Sequence, residues 1–151
     1  MLIVRDDLTH PDVTALIELH LRSAFENSPP GSVFALDLSG LRDPAVTLWT
    51  AWDDDALLGM GALKQLDAGH GELKSMRTAP AHLRRGVAGA MLDHLIAEGR
   101  RRGYARLSLE TGNNAPFAPA RAMYERAGFT PCGPFADYND EAFSRYYTLT
   151  L

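Results

Sequence analysis

The sequence predicts an α/β (α+β) fold in which helices flank a mixed, mostly antiparallel central sheet. Residues 45–78 alternate apolar runs with turns, which is typical of an antiparallel meander. Residues 72–109 then have the pattern strand, helix, strand, and such a unit requires parallel pairing through a right-handed crossover. A length of 151 residues with 46% apolar composition suffices for one core, so a single domain spanning 1–151 is expected.

The amino-terminal part predicts a strand followed by helices. Residues 2–5 form the strand, and the run Thr9-His10-Pro11-Asp12 starts a helix with the Thr9 hydroxyl as its cap. Apolar positions recur at helical spacing, and the prolines within 27–31 end the helix. These positions are Val13, Leu16, Ile17, His20 and Ala24. A second, short helix is predicted within 32–41.

The meander itself consists of three strands and two turns. The first strand covers 46–52, and the acidic turn 53–55 leads into the second strand at 57–66. A glycine-containing turn at 67–71 precedes the third strand, at 72–78.

The carboxyl-terminal half returns to helical spacing. Apolar residues from 87 to 96 form one stripe of a helix that terminates at Gly103. The elements that follow are a strand at 105–109, a helix at 119–127 ending at Gly128, and two closing strands, one from Phe129 onward and one at 146–151.

Composition excludes several classes of partner. The formal net charge of −4 argues against a nucleic-acid-binding surface, and the longest basic run, 100–102, is short. The single cysteine, Cys132, forms no internal disulfide, and the five histidines show no metal-ligand spacing. Charges at 5–7 interrupt any signal-peptide region, and no apolar run has membrane-spanning length. A cytoplasmic protein without a metal is expected, and a homodimer stays open.

One segment brings strand, loop and helix together within fourteen residues, at 76–89. Gly86 and Gly89 bracket the predicted helix start, where glycine permits close backbone approach and the free amides favour a phosphate. Arg84 and Arg85 add positive charge at the same place. The residues alone leave open a second interpretation, an unliganded loop that happens to contain two glycines.

Two ordered motifs decide between these interpretations. Residues 83–88 (Leu-Arg-Arg-Gly-Val-Ala) resemble the central motif of the GNAT superfamily of N-acetyltransferases, a strand, an Arg/Gln-x-x-Gly-x-Gly/Ala loop and a helix, with Leu at its first position. Residues 122–129 resemble the family's Leu-Tyr-Glu-x-x-Gly-Phe segment. Residues 109–112 and 134–138 resemble a bacterial subgroup, so the likeness covers about 72–138.

The resemblance implies acetyl-CoA as the acyl-donor cosubstrate. In this family the pantetheine arm lies against a strand like an added strand, which corresponds here to the backbone of Met76, Arg77 and Thr78. Tyr124 matches the family tyrosine near the coenzyme sulfur. The pyrophosphate would be bound mainly by the amides of Arg84, Arg85, Gly86, Val87, Ala88 and Gly89.

Acetyl transfer to an amine needs two proton carriers, because the ammonium must lose a proton and the departing thiolate must gain one. Tyr124 is the candidate acid, and its alternative role is that of a packed core tyrosine. Glu72 and Glu110 compete as the base. Some family members use a glutamate on the strand equivalent to 72–78, whereas Glu110 lies at the carboxyl end of a parallel strand, where ligands bind. Each could instead be an ion-paired acid.

The sequence therefore predicts transfer of an acetyl group to a primary amine of a small-molecule or peptide acceptor, by direct attack in a ternary complex. Phe117 stands where the family commonly has a coenzyme-binding asparagine, and Asn113 or Asn114 could substitute for it. An acyl-CoA-binding sensor without catalysis is the main alternative. A nucleotide-binding module is a second one, although the chain lacks both the phosphate-loop and the dinucleotide glycine motifs.

Overall fold

The computed structural model describes residues 1–151, which form a seven-stranded sheet with helices on both faces. The strand order is β1-β2-β3-β4-β5-β7-β6, and every neighbouring pair is antiparallel except β4 and β5. The predicted fold class is thereby confirmed. The strands are β1 (Leu2–Arg5), β2 (Val46–Asp53), β3 (Ala56–Asp67), β4 (His70–Thr78), β5 (Arg106–Gly112), β6 (Thr130–Cys132) and β7 (Ser144–Thr150), and the helices are α1 (Pro11–Asn27), α2 (Leu38–Leu41), α3 (Val87–Arg101) and α4 (Ala118–Arg126).

The hydrophobic core lies on both faces of the sheet. On one face α3 and α4 pack against the strands through a cluster that includes Met91, Leu107 and Tyr124. On the other face α1 and α2 pack through a second cluster, which includes Val13 and Leu41. None of the four helices is both long and apolar enough to span a bilayer.

The start of α3 packs closely against the sheet. A Cβ atom on Gly59 would lie 2.9 Å from both the Arg77 carbonyl oxygen and a Val87 methyl carbon. Only glycine therefore lets β3, the end of β4 and the first turn of α3 converge at this point.

Strands β4 and β5 pair in parallel and then separate, which confirms the predicted strand, helix, strand unit. Their pairing covers only His70 to Glu72 on β4 and Arg106 to Ser108 on β5. Beyond that point β4 continues beside β3, and β5 continues beside β7. The carboxyl-terminal halves of the two strands are therefore not hydrogen-bonded to each other, which opens the sheet at the edge where ligands of such folds bind.

A β-bulge shapes the last part of β4. Met60 pairs with Arg77 and Ala62 with Lys74, so two steps on β3 face three steps on β4. The bulge includes Ser75, which adopts a left-handed conformation with φ of 56°. Because directly paired residues project to the same face, Lys74 and Arg77 both point towards α1.

Two local predictions are corrected by the structure, and one is confirmed. The cap of α1 is the Nδ1 atom of His10, which accepts from the Asp12 amide at 3.1 Å, while the Thr9 hydroxyl donates to Asp7. The short second helix predicted within 32–41 is confirmed, since it covers Leu38–Leu41 with the Asp37 side chain as its cap. The strand predicted at 105–109 extends to Gly112, since antiparallel pairing with β7 continues that far, so Glu110 lies within the strand.

Candidate active site

The gap between β4 and β5 opens into a cavity of about 420 Å³. Residues 72–78 of β4 and 109–112 of β5 form its sides. Side chains of α1 line it from one face of the sheet and side chains of α4 from the other. The cavity is therefore continuous through the opening in the sheet.

The cavity brings together most of the candidate residues predicted from the sequence. Those that line it are Glu72, Met76, Arg77, Thr78, Ala88, Glu110 and Tyr124. The remaining candidates lie in the loop before α3 and in its first turn, outside the lining: Arg84, Arg85, Gly86, Val87 and Gly89. Arg84 and Arg85 are exposed, whereas the Val87 side chain is buried in the core.

The loop before α3 has the backbone expected of an anion-binding turn. Arg84 and Gly86 adopt left-handed conformations, with φ of 62° and 79°. Gly86 immediately precedes α3, and no side chain caps the free amides of the first turn. A Cβ atom on Gly86 or Gly89 would meet no atom within 4 Å, so the space beside these amides is open. Free amides at the positive end of a helix dipole favour a phosphate at this position.

Glu110 is a half-buried carboxylate without a cationic partner at ion-pair distance. Its Oε2 atom accepts a hydrogen bond from the Ser144 hydroxyl at 2.8 Å, across the β5–β7 ladder. Burial raises the pKa of Glu110 to about 7, although the Ser144 hydrogen bond and the charge of Lys74 oppose the rise. Near neutral pH this carboxyl can therefore both accept and release a proton.

Glu72, in contrast, is held by two partners. Lys74 Nζ lies 3.3 Å from its carboxylate, and the Tyr138 hydroxyl donates to the same oxygen. Lys74 also donates to the Tyr138 hydroxyl at 3.0 Å, which closes a three-membered network. Burial, and then the charge of Glu72, raise the pKa of Tyr138 and keep its phenol protonated. Both partners bind Oε2, so Glu72 is an ion-paired carboxylate within the protein.

Tyr124 packs in the core and also lines the cavity. Its ring is packed in the core, with its centroid 5.8 Å from that of Phe129. The residue also lines the cavity, and its hydroxyl makes no hydrogen bond within the protein. Burial raises the pKa of the phenol, so Tyr124 carries its proton at neutral pH.

Sequence reasoning missed a contact between Arg77 and His20 at the cavity wall. Arg77 Nε donates to His20 Nδ1 at 2.9 Å. Burial, followed by the charges of Arg77 and Lys74, lowers the pKa of His20 to about 4, so the imidazole is neutral. The helical spacing did place His20 on the inward face of α1, but the partner could not be inferred from that spacing.

The asparagines considered as coenzyme ligands hold loops together. Asn114 Nδ2 donates to the Asn27 carbonyl at 2.8 Å, and Asn113 Nδ2 donates to the Ala142 carbonyl. Phe117 packs edge-on against Phe143. These contacts fasten the β5–α4 loop to the end of α1 and to the segment before β7. No three His, Cys, Asp or Glu side chains are grouped so that they could hold a metal ion.

Comparisons with known proteins agree with this geometry. The Acetyltransferase (GNAT) family model matches residues 13–129. The uncharacterized N-acetyltransferase YsnE of Bacillus subtilis is 53% identical over 146 residues, which cover 97% of each chain. A Klebsiella pneumoniae structure assigned as an acyl-CoA N-acyltransferase is 27% identical, with a TM-score of 0.81 over 99% of this chain and 97% of its own. An Elizabethkingia anophelis GNAT structure with acetyl-CoA bound has a TM-score of 0.70 over 99% and 97% of the chains, and its 16% identity supports the fold alone.

Proposed function

The chain belongs to the acetyltransferase (GNAT) family, and from that premise we propose that it moves the acetyl group of acetyl-CoA to a primary amine of a small-molecule acceptor, by direct attack in a ternary complex. One observation carries the proposal. Glu110 and Tyr124, a carboxylate with a pKa near neutrality and a protonated phenol without a protein partner, line the same cavity. They are the base and the acid that the reaction needs.

The coenzyme would enter from the α3 side. The backbone of Met76, Arg77 and Thr78, which has no neighbour on the β5 side, would pair with the pantetheine arm. The amides from Arg84 to Gly89 would bind the pyrophosphate, with the open space beside Gly86 admitting it. Membership of the acetyltransferase (GNAT) family supports this choice of donor.

The proton transfers follow from the positions of the two side chains. Glu110 takes one proton from the acceptor's ammonium, and the neutral amine attacks the thioester carbon. The new C–N bond forms, the C–S bond then breaks, and Tyr124 gives its proton to the departing thiolate. After the C–N bond has formed, the acceptor nitrogen loses a second proton, and this proton restores the phenol of Tyr124. The proton on Glu110 is released to solvent. Glu72 would position Lys74 and Tyr138 at the acceptor's side of the cavity.

The walls of the cavity favour a small acceptor over a folded protein chain. The Ser32 hydroxyl donates to the Glu141 carboxylate at 2.7 Å, and the Asn114 side chain donates to the Asn27 carbonyl. These two hydrogen bonds join the chain segments around the cavity. The acceptor and the end of the pantetheine arm must share about 420 Å³.

Free CoA thiol, measured with a panel of amines, tests the reaction. Tyr124→Phe should lower kcat by about 10²- to 10⁴-fold, since it removes the acid and little else. Tyr104→Phe is the matched control, because its hydroxyl is bonded to Gln65 and Arg102 outside the cavity. An unchanged kcat in Tyr124→Phe would remove this residue from the mechanism. Binding of acetyl-CoA without thiol release for any acceptor would favour a sensor.

A further inference from the structure

Three charged side chains project from β4 towards α1, on the side of the cavity opposite α3. The neighbours of these residues in β4, Leu73 and Met76, pack on the opposite face with the α3 residues. The bulge at Ser75 restores Arg77 to the face of Lys74. Glu72, Lys74 and Arg77 therefore share one wall, which we call the acceptor wall.

The two cations of the acceptor wall differ in how they are paired. Lys74 has a carboxylate partner in Glu72, and the side chains of this pair are only 10% and 4% exposed. Arg77 is half-buried and takes part in none of the ion pairs of the protein. The only hydrogen bond of its side chain within the protein uses Nε, so both terminal nitrogens remain without a partner.

His20 fixes the orientation of this unpaired guanidinium. The neutral imidazole accepts from Nε through Nδ1, so it orients the guanidinium without neutralising its positive charge. A partly desolvated cation without a counter-ion is costly to a protein. A guanidinium that presents two free N–H-bearing nitrogens into a cavity matches a carboxylate in bidentate geometry.

We propose that Arg77 binds a carboxylate of the acceptor, so that the acceptor is an amino acid or a similarly short aminocarboxylate whose amine lies at Glu110. This inference rests on the proposed acetyl transfer and specifies its substrate class. The amine of the acceptor is attracted by Glu110, the one carboxylate of the cavity without a cationic partner. The carboxylate of the acceptor is attracted by Arg77, the one cation of the cavity without an anionic partner.

The spacing along the strands suits a short molecule. When the register of the last pair, Glu72 with Ser108, is continued past the end of the ladder, Glu110 is level with Lys74. The bulge shortens the path from Lys74 to Arg77 to about two regular strand steps, or roughly 7 Å. Two hydrogen bonds of about 2.8 Å and the few bonds that separate the amine and the carboxylate of an amino acid span this distance along the strand. The sideways spacing between the strands, about 4.8 Å or more, is within reach of the long arginine side chain.

Matched acceptors test the proposal directly. Thiol release is measured for the L-amino acids, and the best of them is compared with its carboxamide and with its decarboxylated amine. The carboxamide is the stricter comparison, because its amine is the more easily deprotonated and would react faster if reactivity alone decided. The wild type should prefer the amino acid over both by roughly 10- to 100-fold in kcat/KM, as expected for a charge-assisted bidentate pair.

Variants then assign the preference to the guanidinium. Arg77→Gln should lower kcat/KM for the amino acid by roughly 10- to 100-fold more than kcat/KM for the decarboxylated amine, mainly through KM. Arg77→Lys, which keeps the charge but loses the fork, should recover only part of the loss. Arg100→Gln, at the exposed end of α3, is the control. Thermal stabilisation by acetyl-CoA verifies that each variant is folded and binds the coenzyme.

The outcomes separate the two proposals. If carboxylate-free amines react as well as the amino acid, or if Arg77→Gln affects both equally, acetyl transfer stands and the carboxylate site is refuted. If no acceptor of either kind releases thiol, the transfer reaction is refuted. The site is then decided by whether amino acids raise the Tm of the acetyl-CoA complex: a rise that Arg77→Gln abolishes supports it, and no rise overturns it.

Discussion

Replacing Glu110 with glutamine tests the most perturbed carboxyl of the cavity. Glutamine has the same shape, and its side-chain oxygen can still accept the Ser144 hydroxyl that Glu110 Oε2 accepts at 2.8 Å. The substitution therefore removes the ionisation of the residue while it keeps the contact. Both the pH dependence of stability and the pH dependence of activity should respond.

The stability effect has a definite sign. The folded-state pKa of about 7 lies above the ordinary value of 4.5, so folding favours the protonated carboxyl. The resulting stabilisation is complete below pH 4.5 and is lost as the pH rises to about 7. At about 1.36 kcal/mol per pKa unit this corresponds to roughly 3 kcal/mol, which solvent in the cavity reduces to about 2.

His20 masks this loss in the wild type. Its pKa is lowered from 6.5 to about 4, so its contribution to stability is present above pH 6.5 and is lost as the pH falls towards 4. The two residues therefore have opposite slopes over nearly the same pH range. Only the difference between wild type and Glu110→Gln isolates the Glu110 contribution.

Urea unfolding between pH 4.5 and 8.5 measures that difference. The free energy of unfolding of Glu110→Gln, relative to wild type, should rise by about 2 kcal/mol from the acidic to the alkaline end. Glu18→Gln, on the exposed surface of α1, should show no such trend. In the activity assay the wild-type kcat/KM should rise through about pH 7, and the variant should lose both this rise and about 10²-fold or more in rate. A stability difference that does not vary with pH would show that Glu110 ionises normally and would remove the reason for assigning it as the base.

Two further predictions concern the hydrogen-bond donor to Glu110 and the glycines at the start of α3. Ser144→Ala removes a donor that lowers the pKa of Glu110, so the rise in kcat/KM should move to higher pH, and an unmoved profile would contradict the coupling. Gly86→Ala should cost about 1 to 2 kcal/mol in urea unfolding because φ is 79°, whereas Gly89→Ala, inside α3, should gain about 0.5 to 1 kcal/mol. Both should weaken acetyl-CoA binding in a thermal-shift titration, since each adds a methyl group beside the free amides. Unchanged binding in both would move the pyrophosphate elsewhere.

Much of the fold could be predicted from local sequence signals. The helix from 87 onward has an apolar stripe and a terminating glycine at 103, and both signals lie within the segment that they describe. The extent of β5 could not be predicted in this way. Its last residues are held by β7, more than thirty positions later, so their conformation depends on a distant partner.

The candidate site could likewise be predicted from the sequence only where local signals sufficed. Glu110 and Tyr124 were identified from motif and strand position, and the structure places both at one cavity. The Arg77–His20 contact joins residues 57 positions apart, and the Glu72–Tyr138 contact joins residues 66 positions apart. Strict strand alternation would also have put Arg77 on the face opposite Lys74. Only the bulge at Ser75, which leaves no clear signal in the sequence, brings the two side chains to one wall.

The unpaired charges of the cavity are a consequence of how the sheet opens. A continuous β4–β5 ladder would put Glu110 directly beside Lys74, since Glu72 pairs with Ser108, and near enough to form an ion pair. The ladder ends at Glu72 and Ser108, however, and the two side chains form no ion pair. The same separation, through which we propose that the coenzyme enters, thus leaves a guanidinium without an anion on one strand and a carboxylate without a cation on the other. A molecule that carries an amine and a carboxylate a few bonds apart satisfies both, and a simple amine satisfies only one.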